Sequence, residues 1–396
     1  MSELFTHDDQ YRYKQIAEFM QKYLESKDKV ALYREYESLL KSVRPIDLFH
    51  APMFQDNTSF SIDEIKSYAN RFVNLFFHGL VAFGWDKHSS KVLESFIEEN
   101  QAIINQLESI KPYFENNKIE SSVPQIIHFF EKMSIIEKKF IKSQMVLYPV
   151  LEKLLPSKTP FKVLWSVEDD ILVSRKKVIE FLKADVIDWQ MVKIEIGQFY
   201  YQLAGLIQKE DIIVLPLASV YIKNDTWNSM MNALIDTGYA FMETPNFKAI
   251  SKGNPLSGLD IVTDTGSLSL DQFNLIMSHL PMAITYVDEL DKVRYFNQTK
   301  ERHFPRTAQV IGREVKYCHP EKSVHVVEKI LSEFKAGRQS VAQFWMDFKG
   351  IKLLISYYAV RNLEGIYKGV IETTQDISNM KNYLGEKRLL DWDALE

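Results

Sequence analysis

The hydrophobic period changes once along this chain, and that change limits what it can fold into. Through the first ~245 residues apolar positions recur at helical spacing, as in Ile16, Phe19, Met20 and Tyr23 and again in Leu93, Phe96, Ile97 and Ile103. Over the last ~125 residues the pattern shifts to short β-rich runs mixed with one long helix. Ala283–Val287 and Lys292–Phe296 flank the acidic turn Asp288–Asp291, which predicts a hairpin. Lys322–Phe334 carries Val324, Val327, Ile330, Leu331 and Phe334 on one face and stops at Lys335-Ala-Gly337, which predicts a helix packed on a sheet. Val341–Phe348, Lys352–Val360 and Tyr367–Thr374 complete five strands, the last two joined by a turn at Asn362–Gly365. The expected fold class is therefore α+β and multidomain, an all-α helical bundle followed by an α/β domain with a five-stranded antiparallel sheet.

Pro45, Pro124, Pro149, Pro156, Pro160 and Pro216 punctuate the helical part and predict several helices joined by short connections. Ser251-Lys-Gly-Asn-Pro-Leu-Ser-Gly258 and Asp264-Thr-Gly-Ser-Leu-Ser269 are small and polar, and they place a linker over residues 246–270. With 396 residues, 46% hydrophobic and 26% charged, the chain has apolar material for two or three globular domains.

The charge balance excludes some partners. Forty-eight basic against 53 acidic residues give a net −5 with no long Lys/Arg run, so no nucleic-acid partner is expected. No apolar run approaches the roughly 20 residues of a spanning helix, so no membrane is expected. Met1–Gln10 is polar and acidic, unlike a secretion signal, and Cys318 is the single cysteine; both point to the cytoplasm. One cysteine makes neither an internal disulfide nor a Cys-rich zinc or iron–sulfur site. The Gly-rich phosphate loops, the Gly-x-Ser-x-Gly elbow and the His-Glu-x-x-His helix are all missing, so the chain is not expected to be an enzyme. A carboxy-terminal tail, 381–396, is too short for a kinase, cyclase or DNA-binding output domain, so any signal is expected to pass to a partner or to the helical domain.

The order of strand, Asp turn, strand ending at Asn297 and Ile-Gly-Arg step at 311–313 resembles the opening of a PAS domain, a small-molecule cup. The stretches DTGSLSLDQFNLIMSHLP (264–281) and HFPRTAQVIGREVKYCHPEKSVHVVEKIL (303–331) resemble more closely the terminal PAS domain of a bacterial family. Its members carry an amino-terminal helical domain of unknown function, a hemerythrin-like bundle and this module. That resemblance implies a helical domain over 1–80, a hemerythrin-like bundle over 81–245 and a PAS domain over 271–380.

Hemerythrin-like bundles hold a di-iron centre with His and carboxylate ligands on facing helices. Here the matching positions carry Lys139 and Gln144 where the family has His and Glu, and Glu168 where it has His. Glu210 and Asp211 keep the family's acidic pair, and Phe72 replaces a His of the first domain. Lysine and glutamine do not substitute for imidazole and carboxylate, so a di-iron centre is not expected. The other histidines of the helical part, His7, His50, His78, His88 and His128, do not fit the family's pattern. Glu168, Asp169, Asp170, Glu210 and Asp211 form an acidic set suited to calcium or magnesium, or simply to solvent.

In the PAS region the candidate ligand contacts are His319 and His325, together with Tyr286, Phe296, His303, Phe344 and Tyr357. Haem-binding PAS domains take an axial His beside the cavity, which makes His319 or His325 the candidate for haem. Cys318 is a weaker candidate for a redox switch because no second cysteine resolves it. The expected function is a sensor or adaptor that binds a small molecule and acts through an unidentified protein partner. A homodimer is a further expectation from the resemblance alone. The alternative is a haem or iron protein answering to oxygen, nitric oxide or redox state.

Overall fold

The computed structural model describes residues 7–114, 118–247, 260–263, 265–300, 302–383 and 385–386. They form two compact units, the first running to Ser251 and including Thr307–Gln309, the second comprising Lys252–Arg306 and Val310 onward. The core of the linker signal, Ser251–Gly258, and most of the 381–396 tail lie outside the described residues.

The first unit is helical. Its helices are α1 (His7–Glu25), α2 (Lys29–Leu40), α3 (Pro45–Leu48), α4 (Ile62–Ala82), α5 (Lys91–Glu108) and α6 (Val123–Lys132). They continue with α7 (Ile136–Lys142), α8 (Tyr148–Leu154), α9 (Thr159–Leu182), α10 (Trp189–Lys209), α11 (Leu215–Tyr221) and α12 (Asn224–Thr237). Local chemistry starts several of them. Ser61 Oγ accepts from the Glu64 N–H while Glu64 accepts from the Ser61 N–H, a reciprocal cap that opens α4. Asp188 caps α10 by accepting from the N–H groups of Gln190 and Met191. One apolar core runs through the unit from Ile16 to Ala240, and helices on both sides of residue 80 pack into it.

Two of the prolines read as helix breaks do something different. α7 passes into α8 through a π-helical turn, Ser143–Leu147, and α10 passes into α11 through another, Glu210–Val214. Pro149 and Pro216 stand just after these turns. A proline donates no N–H and its ring collides with the carbonyl four residues back, so widening the preceding turn keeps the helix running. Each turn brings one extra residue round, and its side chains, Ser143, Gln144 and Glu210 among them, face the interior.

In the second unit, β1 (Asp260–Thr263) and β2 (Gly266–Ser269) pair as a small antiparallel hairpin inside the stretch expected to be linker. Its polar composition suits an exposed two-stranded ribbon as well as a loop, which is why it read as one. Ser269 then caps α13 (Leu270–His279) with Gln272 in the reciprocal arrangement. The main sheet comprises β3 (Ala283–Asp288), β4 (Val293–Phe296), β5 (Val341–Phe348), β6 (Ile351–Arg361) and β7 (Tyr367–Asp376) in the order β4-β3-β7-β6-β5, antiparallel throughout. α14 (Glu321–Lys335) lies between β4 and β5 in sequence. The five-stranded antiparallel sheet expected from the run lengths is present, with its helical partner unit before it.

Turn chemistry holds this sheet in register. Asp288 Oδ1 accepts from the N–H groups of Leu290 and Lys292, and Asp291 takes φ +61°. Lys349 and Gly350 both have positive φ, the geometry of a tight two-residue hairpin. Asn362 Oδ1 accepts from the Ile366 N–H at the β6–β7 turn. The buried face follows from alternation: Ala283, Thr285 and Val287 of β3 pair with Thr374, Glu372 and Val370 of β7, which pair with Ile355, Tyr357 and Ala359 of β6. Val327, Leu331 and Phe334 of α14 are buried, while the opposite side of that helix is exposed.

Candidate functional site

A strand face that carries only apolar side chains makes a core; this one also carries charge. Glu372 stands in the middle of the buried face, directly opposite Thr285 on one neighbour and Tyr357 on the other. Its side chain is 10% exposed and that of Arg306 6%, and Arg306 Nη2 lies 4.0 Å away at the limit of an ion pair. Arg302 adds a second guanidinium. Its Nη2 donates to the Ile284 carbonyl, the Asn297 carbonyl and Asn297 Oδ1, and its plane lies 5.3 Å from the Phe296 ring. Asn297 is itself pinned, accepting from the Ile284 N–H and donating to the Met277 and Met282 carbonyls. The arginine is thus held by the ends of β3 and β4.

His319 completes the cluster from the turn that precedes α14. Burial, with Arg306 adding to it and Glu372 opposing it, brings its imidazole down to about 4, so the ring is neutral at physiological pH. Burial, then the charge of Arg306, brings the Arg302 guanidinium down to about 10, with Glu372 opposing. The Tyr357 hydroxyl is pushed up by burial and by Glu372 and keeps its proton. Arg302 Nε, Arg306 Nε and His319 Nε2 are all buried without a hydrogen-bond partner. Buried polar atoms of native proteins are nearly always paired, and an orphan costs on the order of 1–3 kcal/mol.

The other sequence candidates scatter. Phe296 is on the buried face, opposite Thr285. Phe344 shares that face on the edge strand β5 and stacks on Tyr357 at 5.9 Å, but it is 37% exposed. His303 has a buried, unpartnered Nε2. Tyr286 points the other way: it alternates with Thr285, and its hydroxyl donates to the Lys368 carbonyl at 2.6 Å. His325 is exposed on α14, so the structure puts it and His319 in different surroundings. Cys318 is buried beside the Glu314 carbonyl, away from the surface where an oxidant would reach it.

Sequence reasoning missed Arg302, Arg306, Glu372 and Thr285. A signal existed for Glu372, the one charged residue among positions 370, 372 and 374 that alternate onto the buried face of β7. For the arginines there was none, since both lie in the irregular stretch after β4.

The helical unit has its own polar interior, built from the positions singled out in the sequence. Lys139 Nζ lies 2.8 Å from Glu210 Oε2, and Lys142 Nζ lies 2.6 Å from Glu99 Oε1; all four side chains are almost fully buried. Gln144 donates to Glu168 at 2.6 Å, Tyr148 to Glu168 at 2.8 Å, and Ser143 to Glu210 at 3.1 Å. Burial disfavours the Lys139 ammonium, but Glu210 and Glu99 outweigh that cost and raise its pKa. Lys142 is brought down to about 8 because burial prevails over Glu99 there. Glu168 is pushed well up by burial against its two hydrogen bonds, so it holds a proton. The acidic set does not stay together. Glu168 and Glu210 face inward, Asp170 pairs outward with Lys66 at 2.6 Å, and Asp211 accepts from Asn100 at 2.8 Å. Of the histidines, His50 stacks on Tyr13 and His88 meets Glu94 at the surface. Among the described residues no group of three or more His, Cys, Asp or Glu is arranged to hold a metal ion.

Asp211 provides a test of this interior. Burial lifts it to about 6 from an ordinary 3.8, despite the Asn100 hydrogen bond. Between those values the folded state binds more protons than the unfolded chain, so its contribution to stability falls as pH rises through that window. Asp211→Asn should stabilise the protein by about 1–3 kcal/mol at neutral pH and leave it unchanged below pH ~4. Urea unfolding at the two pH values checks this; equal effects at both would show that the carboxylate is not held up by burial.

The comparisons bear on the second unit. Residues 273–378 match the family model described as a PAS domain. Among solved structures, the chain is similar to the C-terminal domain of a protein from Streptococcus mutans, at 33% identity over 31% of this chain and 96% of that one, with a TM-score of 0.30. It is also similar to a sensory box sensor histidine kinase from Vibrio cholerae, at 11% identity over 27% of this chain and 89% of that one, with a TM-score of 0.22. No curated protein matches. None of the helices among the described residues is long and apolar enough to cross a membrane. The carboxy-terminal unit belongs to the PAS domain family, and it follows a helical amino-terminal region.

Proposed function

We propose that this protein is a non-enzymatic cytoplasmic sensor or adaptor whose PAS domain takes up a small molecule and passes the event on through contacts with a protein partner, a second copy of the chain among the candidates. The observation that carries this reading is the group of buried, unpartnered polar nitrogens on the inner face of the sheet, Arg302 Nε, Arg306 Nε and His319 Nε2. A domain folded for packing alone gains nothing from leaving them unpaired. A ligand that binds one arrangement of that face better than another shifts the population between them, which is all that signalling needs. In this reading the helical unit is a hemerythrin-like scaffold whose metal site has been given over to the Lys139–Glu210 and Lys142–Glu99 pairs.

A second reading, haem binding, has one observation in its favour: His319 Nε2 is buried, unpartnered and neutral, as an axial ligand must be. Haemin titration of the full-length protein separates the two. The sensor reading expects no Soret shift. A Soret band that vanishes in His319→Ala and persists in His325→Ala would move the function to haem sensing.

A further inference from the structure

The two unpartnered Nε–H donors on the inner face of the PAS sheet, on Arg302 and Arg306, are of one kind, and their chemistry narrows what they can hold. Arg302 and Arg306 present guanidinium groups, which match a carboxylate with two parallel N–H donors. Part of the Arg302 guanidinium is already used, since its Nη2 is anchored on the backbone at Ile284 and Asn297; its Nε is left over. Arg306 Nε is likewise free, and its nearest acid, Glu372, stands 4.0 Å off with no hydrogen bond between them. The charge in the cluster is two guanidiniums against one carboxylate, with His319 neutral and the Tyr357 hydroxyl protonated. One positive charge is left uncompensated in a buried place, where it is costly.

Resting on the ligand-binding reading above, we infer that this buried face takes a small organic monocarboxylate, its carboxylate held between Arg302 and Arg306 and its apolar part against Phe296 and Tyr357. A single negative charge cancels the excess and satisfies the two orphaned Nε–H groups together. A phosphate dianion overshoots the excess and brings its second charge toward Glu372. A neutral ligand leaves the arginines unpaired. His319 Nε2 adds a further hydrogen-bonding atom for a polar group beside the carboxylate. The roles of the two charged partners are opposite: Arg306 attracts the ligand, and Glu372 both orients Arg306 and repels the ligand.

The test is calorimetric titration of the full-length protein with acetate, octanoate and phenylacetate, each against its neutral amide, and with inorganic phosphate. The expected result is millimolar or tighter binding of at least one acid and none of its amide. Arg306→Gln should weaken that binding by about tenfold or more, and Glu372→Gln should tighten it. Arg306 is the variant of choice because Arg302 also ties two strands together, and circular dichroism confirms that each variant folds. A merely structural role would weaken binding in both variants. An amide that binds as well as its acid, unaffected by either change, overturns the carboxylate while leaving a small-ligand cup. Tighter binding of phosphate overturns it too. No binding of any of these acids overturns the carboxylate inference and leaves the sensor reading to the haemin titration.

Discussion

Replacing Lys142 by Ala should cost the helical unit about 3–5 kcal/mol, the penalty for stripping one partner from a buried ion pair. Lys142 Nζ donates to both Glu99 Oε1 and the Gly238 carbonyl at 2.6 Å and lies 3.7 Å from the centre of the Tyr239 ring. Without it, Glu99 keeps the Ala240 N–H, at 2.7 Å, as the hydrogen bond for its fully buried carboxylate. Set against the roughly 5–15 kcal/mol that holds a domain together, the loss is large. The double change Lys142→Met with Glu99→Gln should recover most of it, since an apolar or neutral pair of similar volume often matches a buried salt bridge. The pH dependence carries a second signature. The folded pKa of about 8 lies below the ordinary 10.5, so the unfolded chain binds more protons between them and stability rises with pH across that window. In Lys142→Ala that rise should disappear. Urea unfolding followed by far-ultraviolet circular dichroism reads both effects. A single-variant loss under about 1 kcal/mol would mean that the pair behaves like an exposed one.

Gly369→Ala should be as damaging to the PAS domain. Gly369 sits in β7 with φ +136°, a conformation side chains rarely adopt, and a Cβ there would lie 2.1 Å from the Val287 carbonyl oxygen and 3.1 Å from Asp288 Cα. Neither neighbour is a flexible side-chain end; both are backbone of the adjacent strand, so the strands must part. Strain and overpacking together set the cost at about 3 kcal/mol or more. Because Val370 and Glu372 follow on the same strand, the carboxylate-binding face should be lost with it. Thermal unfolding of Gly369→Ala beside Gly365→Ala makes the comparison: Gly365 is also at positive φ, +78°, but has open space around its Cβ position, so its loss should be smaller. Equal losses at the two positions would show that the clash does not matter.

The two halves of the molecule were legible to different depths. In the sheet domain the runs and turns were readable because each rests on local chemistry: Asp288 at its own turn, Asn362 and Gly365 at theirs, and period-two alternation between them. In the helical unit the apolar stripes were equally clear. The two prolines misled there, because a π turn satisfies the backbone where a chain break had seemed necessary. The family resemblance singled out Lys139, Gln144 and Glu168 as replacements of its ligands and Glu210 as an acid it keeps. The structure gathers them into one buried interior, with partners the sequence left unnamed: Lys142, Glu99, Tyr148 and Ser143.

The sequence by itself determined the helical and sheet halves and the five strands. Those features depend on neighbours a few positions apart, and spacing is enough to reveal them. Only the tertiary structure decided which charges meet. Arg302 and Arg306 come from an irregular segment, His319 from a turn and Glu372 from a strand some 50 residues further on, and a pairing energy between side chains that far apart leaves no periodic trace in the chain. For the same reason Tyr286, chosen from the sequence, and its neighbour Thr285, passed over there, part company once the sheet forms, one away from the buried charge and the other toward it.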